Sequence, residues 1–69
     1  MQIYELTKPE LDSLINLCNF TPDELKYFNQ RSRHKSHIQI ELDNYWSTSK
    51  VSSLSKSVRR KIKRIRKDF

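Results

Sequence analysis

The fold of this 69-residue chain is decided by its last third, Ser47 to Phe69, which reads STSKVSSLSKSVRRKIKRIRKDF. Apolar side chains recur there at steps of three and four residues, and a helix turning about 100° per residue gathers them into one narrow stripe. The stripe contains Val51, Leu54, Val58, Ile62, Ile65 and Phe69. The pattern predicts one amphipathic helix over about residues 48–68, with Ser47 as its N-cap.

The side of this helix opposite the stripe is hydroxylic at its start and cationic further along. The same angular spacing gathers Ser49, Ser53, Lys56, Arg60, Lys63 and Lys67. We interpret this face as a surface for a polyanion, with duplex DNA as the leading candidate. A basic amphipathic helix can also lie on a membrane, but this apolar stripe is narrow and lacks Trp, so we expect no membrane partner.

The net charge of +6 is concentrated in the same segment. Residues 1–46 carry 5 Lys and Arg against 7 Asp and Glu, whereas residues 47–69 carry 9 against 1. The chain is therefore a nearly neutral body with a basic arm. This asymmetry favours a nucleic acid over an acidic small molecule as the partner.

Length and composition indicate a single all-α domain. A chain of 69 residues has a small core and no room for a deep enzyme cleft, so we expect no catalytic residues and no cofactor. Gly is absent and Pro occurs twice, which disfavours tight hairpins. Cys18 is the only cysteine and lies on an apolar stripe, which predicts a buried thiol. Without a signal-peptide pattern or an apolar run of about 20 residues, the expected location is cytoplasmic.

Two Thr-Pro openings mark the first two helices. Thr7 and Glu10 are three residues apart, as are Thr21 and Glu24, and this is the spacing of a capping box. They predict helix 1 over about residues 8–18, ending near Asn19, and helix 2 over about residues 22–32. The side chains expected to be buried are Leu11, Leu14, Ile15 and Cys18 in helix 1, and Leu25 and Phe28 in helix 2.

A third helix is predicted over about residues 37–44, with Ser36 as its cap. Ile38, Leu42 and Tyr45 fall on one side of it and Ile40 lies almost opposite, so we expect a helix buried on both sides. Three or four residues separate it from the last helix. That separation is typical of a helix-turn-helix, in which the second helix enters the major groove of DNA.

In this interpretation the DNA-binding side chains lie in and around the first turns of the last helix. The hydroxyl candidates are Ser47, Thr48, Ser49, Ser52 and Ser53, and the cationic candidates are Lys35, Lys50, Lys56, Arg59, Arg60 and Lys63. Short hydroxyl side chains can bond to bases or to phosphates. The first two turns lack Arg, and the helix lacks Gln and Asn, so we expect modest sequence specificity and a strong phosphate component.

From Phe20 to Ile62 the sequence resembles the four-helix helix-turn-helix of sigma-factor region 4 and of LuxR-type regulators. The opening Phe20-Thr21-Pro22-Asp23-Glu24 is similar to the family's Leu-Thr-Pro-x-Glu. The resemblance implies that Ser36 starts the helix before the turn and that Ile40 is its core residue. It also implies that Ser47 caps the recognition helix and that Val51 and Leu54 point inward. The resemblance implies a tetrahelical DNA-binding domain, of the kind found in small proteins of phages and mobile elements.

The chain departs from the family pattern at three positions: Glu41, Asn44 and Tyr45. The family usually has Ala, Leu and a Gly or Asn there, the last for the positive φ of the turn. We expect Asn44 to take the left-handed conformation in place of Tyr45, shifting the turn by one residue, with Leu42 and Trp46 supplying core volume. Trp46 is expected in the core, whereas Tyr45 is equally consistent with the core and with stacking on bases.

Other candidate sites have simpler explanations. His34 and His37 are too few to hold a structural metal ion, and we expect them at the surface or on phosphates.

Something must also cover the far end of the last helix, either helix 1 or a second subunit in a homodimer through the C-terminal helix. The sequence thus predicts a non-enzymatic transcriptional regulator that binds double-stranded DNA. The alternative is a module that uses the same fold to attach to RNA polymerase or to another regulator.

Overall fold

The computed structural model describes residues 1–69 and contains four α-helices and no strand, which confirms the all-α class. The helices are α1 (Lys8–Cys18), α2 (Pro22–Ser32), α3 (His37–Asn44) and α4 (Thr48–Ile65), preceded by a 3-10 turn at Ile3–Glu5. The first three helices have the bounds expected from the sequence. The last one ends three residues before the expected Asp68.

The helix starts are fixed by the side chains that the sequence marks for that task. The Thr7 N–H donates to Glu10 Oε1 at 2.8 Å, and the Glu10 N–H donates back to Thr7 Oγ1. The same reciprocal pair joins Thr21 and Glu24 at 2.9 and 3.2 Å. Both capping boxes are therefore confirmed, and each satisfies two backbone groups that the first helical turn leaves unpaired.

The turn between α3 and α4 differs from the expectation at one residue. Tyr45 itself takes the left-handed conformation, at φ 56°, so the prediction that Asn44 would do so is wrong. Asn44 stays helical because its side-chain amide donates to the Ile40 carbonyl at 2.8 Å and to Gln30 Oε1 at 2.7 Å. The turn is therefore not shifted by a residue.

One hydrophobic core lies between α2, α4 and the flanking elements. Its most enclosed side chains are Phe28, Ile40, Val58 and Ile62, all at 0% exposure. The apolar periodicity of the sequence predicts the burial of these four but not of several other members of the core. These are Tyr27 from α2 and Ile3 and Leu6 from the N-terminal segment. Trp46 is partly buried against the core, as expected.

The C-terminal residues leave the helix, which corrects the predicted boundary at residue 68. Arg66 is extended, and its guanidinium contacts Glu10 at 2.8 Å and Asp68 at 3.1 Å. The turn that follows returns Phe69 to the core, where it is 7% exposed and lies 5.2 Å from the Arg59 guanidinium. Ending the helix early therefore gains an ion pair with α1 and the burial of an aromatic ring.

The far end of α4 is covered by α1, and Leu14, Cys18 and Ile62 share the core. A second subunit is not needed to bury Ile62. Ile65, by contrast, is 45% exposed, so its expected burial is wrong. It lies at the end of α4 beside α1, where it lines open hollows with Ser13 and Leu17 and is covered only on one side.

The outer side of α3 is also uncovered. Ile38, Leu42 and Tyr45 are 70%, 66% and 96% exposed, and Ile40 alone of this helix is buried. The prediction of a helix buried on both sides is therefore wrong, as is a core role for Leu42. The helix packs only inward, on α2 and α4.

Candidate nucleic-acid interface

The last helix sets the length of the molecule. Its 18 residues span about 27 Å at 1.5 Å per residue, close to the long dimension of 29 Å. Ser47 caps it by accepting a hydrogen bond from the Lys50 N–H at 3.1 Å, and the helix continues without a break, past Ser55, to Ile65. All the side chains on its outer side therefore belong to one continuous helix.

Four basic residues form an open depression on the outer side of this rod. It is lined only by Lys56, Arg59, Arg60 and Lys63, and its volume is about 330 Å³. We term these four residues the cationic face. Lys56, Arg60 and Lys63 are exposed, and none of the four forms an ion pair within the chain. Arg59 is half-buried because it lies over the Phe69 ring.

Toward the start of α4 the cationic face continues into hydroxyl groups. Ser49, Ser52 and Ser53 are exposed, and their side-chain hydroxyl groups form no hydrogen bond within the protein. Ser47 and Thr48 differ, because Ser47 serves as the cap and the Thr48 hydroxyl donates to Glu41 Oε1 at 3.1 Å. Three of the five predicted hydroxyl groups are therefore free to meet an external ligand.

The two remaining predicted site residues are held by carboxylates. Lys50 contacts Asp23 at 2.8 Å and lies 5.9 Å from the centre of the Trp46 ring. Lys35, on the segment before α3, contacts Asp43 at 2.7 Å. The hydrogen bond from each lysine holds the pKa of its carboxyl partner below the usual value. Lys35 does not line the cationic face, and its partner Asp43 belongs to α3.

The edge of α4 that faces α2 has a different electrostatic arrangement. Glu24 is only 4% exposed, and its carboxylate accepts hydrogen bonds from Lys61 Nζ, at 2.5 Å, and from the Ser57 hydroxyl. It also keeps its capping bond with the Thr21 N–H. Burial opposes ionisation of this carboxyl, but the hydrogen bonds outweigh it and lower its pKa to about 2. We term Glu24, Ser57 and Lys61 the paired edge.

The distribution of ion pairs leaves most of the uncompensated charge of the chain on its last helix. Six of the eight carboxylates form ion pairs within the chain, and Glu5 and Glu41 are the exceptions. Three of the cations they hold, Lys50, Lys61 and Arg66, come from α4 and its tail. The other six basic residues of this segment have no such partner: Lys56, Arg59, Arg60, Lys63, Arg64 and Lys67. Only three basic residues outside this segment also lack an ion pair: Lys26, Arg31 and Arg33.

Comparison with protein-family models, with curated proteins and with solved structures finds no match to this chain. No helix combines the length and apolar content that a membrane span requires.

The histidines and the cysteine have partners of their own. His37 Nε2 lies 2.8 Å from the Tyr27 hydroxyl, and His34 stacks on Tyr4 with ring centres 3.8 Å apart. Cys18 is buried, and burial raises the pKa of its thiol. No three His, Cys, Asp or Glu side chains lie together as a metal site would require.

Arg64 is an exposed basic residue of α4 that the predicted site omits. It follows Arg60 by four residues, so the two are neighbours on the helix surface. Arg64 differs in also lining a hollow with Leu17 and Asn19 on the α1 side of the helix. It therefore lies at the border between the cationic face and α1.

Proposed function

We propose that this protein is a non-enzymatic DNA-binding protein, a small transcriptional regulator in which α3 and α4 act as a helix-turn-helix. The first turns of α4 would enter the major groove with Ser49, Ser52 and Ser53 toward the bases. The cationic face would follow the phosphate backbone. The resemblance to sigma-factor region 4 and LuxR-type domains supports the same function, and a phage or mobile-element origin remains part of the proposal.

The single observation that carries the proposal is the absence of internal partners for the cationic face. Carboxylates elsewhere in the chain are largely taken up by ion pairs, while the four adjacent cations of the cationic face have no carboxylate partner and three of them are exposed. A row of phosphates offers the complementary charge at many points and releases its condensed counterions when it is bound. A small acidic ligand would occupy only part of such a row.

The arrangement also supports a limited capacity to read sequence. Hydroxyl groups make weaker base contacts than the paired donors of Arg, Gln or Asn, so phosphate contacts would supply most of the affinity. Four contacts predict that log K falls with log salt at a slope of about −3.6. Release of Lys50 and Lys35 from their carboxylates would steepen the slope.

Binding to a random pool of duplex DNA tests the proposal most directly. Recovery of enriched sequences, together with the steep salt dependence, is the expected result. A slope near zero would reject DNA as the ligand. If the chain instead co-purified with RNA polymerase and shifted no DNA, the alternative function of a protein-binding module would replace this one.

A further inference from the structure

A row of exposed apolar side chains runs along the outer side of α3. Ile38 and Leu42 are four residues apart on one side of the helix, and the exposed Tyr45 follows them at its C-cap. We term them the apolar ridge. Glu41 lies beside the ridge and forms no ion pair within the chain. Adjacent exposed apolar side chains of this size indicate a contact surface.

A second uncovered apolar surface lies between α1 and α4. Leu17 is 56% exposed and Ile65 is 45% exposed. Ile65 lines two hollows of about 330 and 290 Å³, the first with Ser13 and the second with Leu17. We term this surface the α1/α4 groove. Arg64 lines the second hollow and, like Glu41, has no ion-pair partner of its own.

We propose that the chain associates with itself head to tail, with the apolar ridge of one copy seated in the α1/α4 groove of the next. The two surfaces are complementary in shape, since one is convex and the other concave. They are also complementary in charge, because the unpaired Glu41 beside the ridge would meet the unpaired Arg64 at the groove. A symmetric contact between two ridges lacks this match, since it brings together two carboxylates and no free cation.

The positions of the two surfaces decide the type of assembly. The ridge ends at the turn before Thr48, and the groove includes Ile65 at the other end of α4, about 26 Å away along the helix. Contact between unlike surfaces at opposite ends is heterologous, so each added copy exposes a new ridge or a new groove. The result is a head-to-tail series of copies rather than a two-fold dimer, and the series stays open unless the rotation between copies closes it into a ring.

The association is weak in free solution, because only a few side chains take part on each surface. An interface this small corresponds to a Kd of about 0.1 to 1 mM. Neighbouring copies on one DNA duplex would be held at a high effective concentration, so the same contact would make DNA binding cooperative. The contact itself does not depend on DNA and can be tested without it.

The decisive experiment is a complementation test by sedimentation velocity without DNA, from about 10 μM to about 1 mM protein. A ridge variant carries Ile38→Ser and Leu42→Ser, and a groove variant carries Leu17→Ser and Ile65→Ser. The wild-type mass should rise steadily with concentration, whereas each variant alone should remain a monomer. A mixture of the two should form a dimer and nothing larger, because it retains one intact ridge and one intact groove per pair.

Charge reversal provides a second arm that leaves the apolar side chains in place. Glu41→Arg alone and Arg64→Glu alone should each weaken association at least about tenfold, and the chain carrying both should recover it. Unchanged circular dichroism would show that the variants remain folded.

Three results would overturn the proposal. A wild-type chain that stays monomeric at about 1 mM removes self-association. A groove variant that still dimerises alone indicates a symmetric contact between ridges. A mixture of ridge and groove variants that fails to pair shows that the two surfaces do not meet. None of these results bears on whether the cationic face binds DNA.

Discussion

The two sides of α4 carry the same kind of side chain in opposite circumstances. On the paired edge, Lys61 contacts a carboxylate that is 4% exposed, and a serine hydroxyl supports the same carboxylate. On the cationic face, Lys56 and Lys63 stand in solvent without a partner. Lys61 therefore stabilises the fold through an ion pair, whereas Lys56 and Lys63, a few positions away on the same helix, have no partner within the chain.

This difference shows how a small basic protein can leave a row of cations unpaired without weakening its core. A buried ion pair stabilises the fold only when the remaining lone pairs are hydrogen-bonded, as those of Glu24 are. Exposed cations add little to stability but attract polyanions. The contrast predicts that substitutions on the two sides will separate stability from DNA affinity.

The largest expected effect comes from removing the charge of the paired edge. Glu24→Gln should lower the free energy of unfolding at pH 7 by about 3 kcal/mol, because Lys61 loses its partner in a largely buried site. Urea unfolding measures the change. Asp23→Asn is the matched control at an exposed pair, and it should cost less than about 1 kcal/mol. Similar losses for both variants would contradict the distinction between buried and exposed pairs.

The pH dependence of stability should show the same carboxylate. The pKa of Glu24 is about 2 in the folded chain against an ordinary 4.5, so its contribution is complete above pH 4.5. As the pH falls from 4.5 toward 2, about 3 kcal/mol is lost. The difference in unfolding free energy between wild type and Glu24→Gln should therefore shrink over that range. A difference that is constant with pH would show that the Glu24 charge does not stabilise the fold.

Substitutions on the cationic face should have the reverse outcome. Lys56→Ala with Arg60→Ala should leave unfolding unchanged, weaken DNA binding by about 50- to 100-fold near 0.1 M salt and reduce the salt slope by about 2. Fluorescence anisotropy on a labelled duplex measures both quantities. Lys8→Ala with Lys26→Ala removes the same charge from α1 and α2 and should change affinity far less. Equal losses from both pairs would assign the attraction to net charge alone.

The sequence predicts the helix starts well, because each start depends on residues that are close along the chain. Thr7 with Glu10 and Thr21 with Glu24 need no tertiary contact to be recognised. The apolar stripe of α4 is equally local, and Val51, Leu54, Val58 and Ile62 are all buried as the period requires.

Features that depend on distant residues are not visible in the sequence. The stripe continues in period through Ile65, yet the hollows between α1 and α4 stay open at that side chain, so Ile65 is 45% exposed. Nothing local indicates that α3 packs on one side only, because that depends on which helices surround it. The partners of Glu24 lie more than 30 residues away, and no periodic pattern links them. Sequence periodicity therefore locates the candidate face but not its electrostatic contrast with the paired edge.

The turn before α4 offers a smaller test of how firmly the cationic face is positioned. Tyr45 adopts φ 56° with its side chain 96% exposed, a conformation that costs a residue with a Cβ about 1 kcal/mol and that glycine adopts freely. Tyr45→Gly should raise the free energy of unfolding by about 0.5 to 1 kcal/mol in urea. Asn19→Gly is the control, and it should gain less because Asn tolerates φ 52°. A loss of stability in Tyr45→Gly would show that the ring makes a stabilising contact.

The smallest expected effect concerns Lys50, which lies at the boundary between the two sides. In the proposed function, DNA would compete with Asp23 for this lysine, and an exposed ion pair is worth about 1 kcal/mol at most. Asp23→Asn should therefore raise DNA affinity by up to about fivefold and steepen the salt slope by as much as one contact. Asp12→Asn removes an equal charge from the exposed pair with Lys8 on α1 and should leave the slope unchanged. If Asp23→Asn also leaves the slope unchanged, Lys50 does not reach the phosphates, and the interface begins one turn further along α4, at the hydroxyl groups of Ser52 and Ser53.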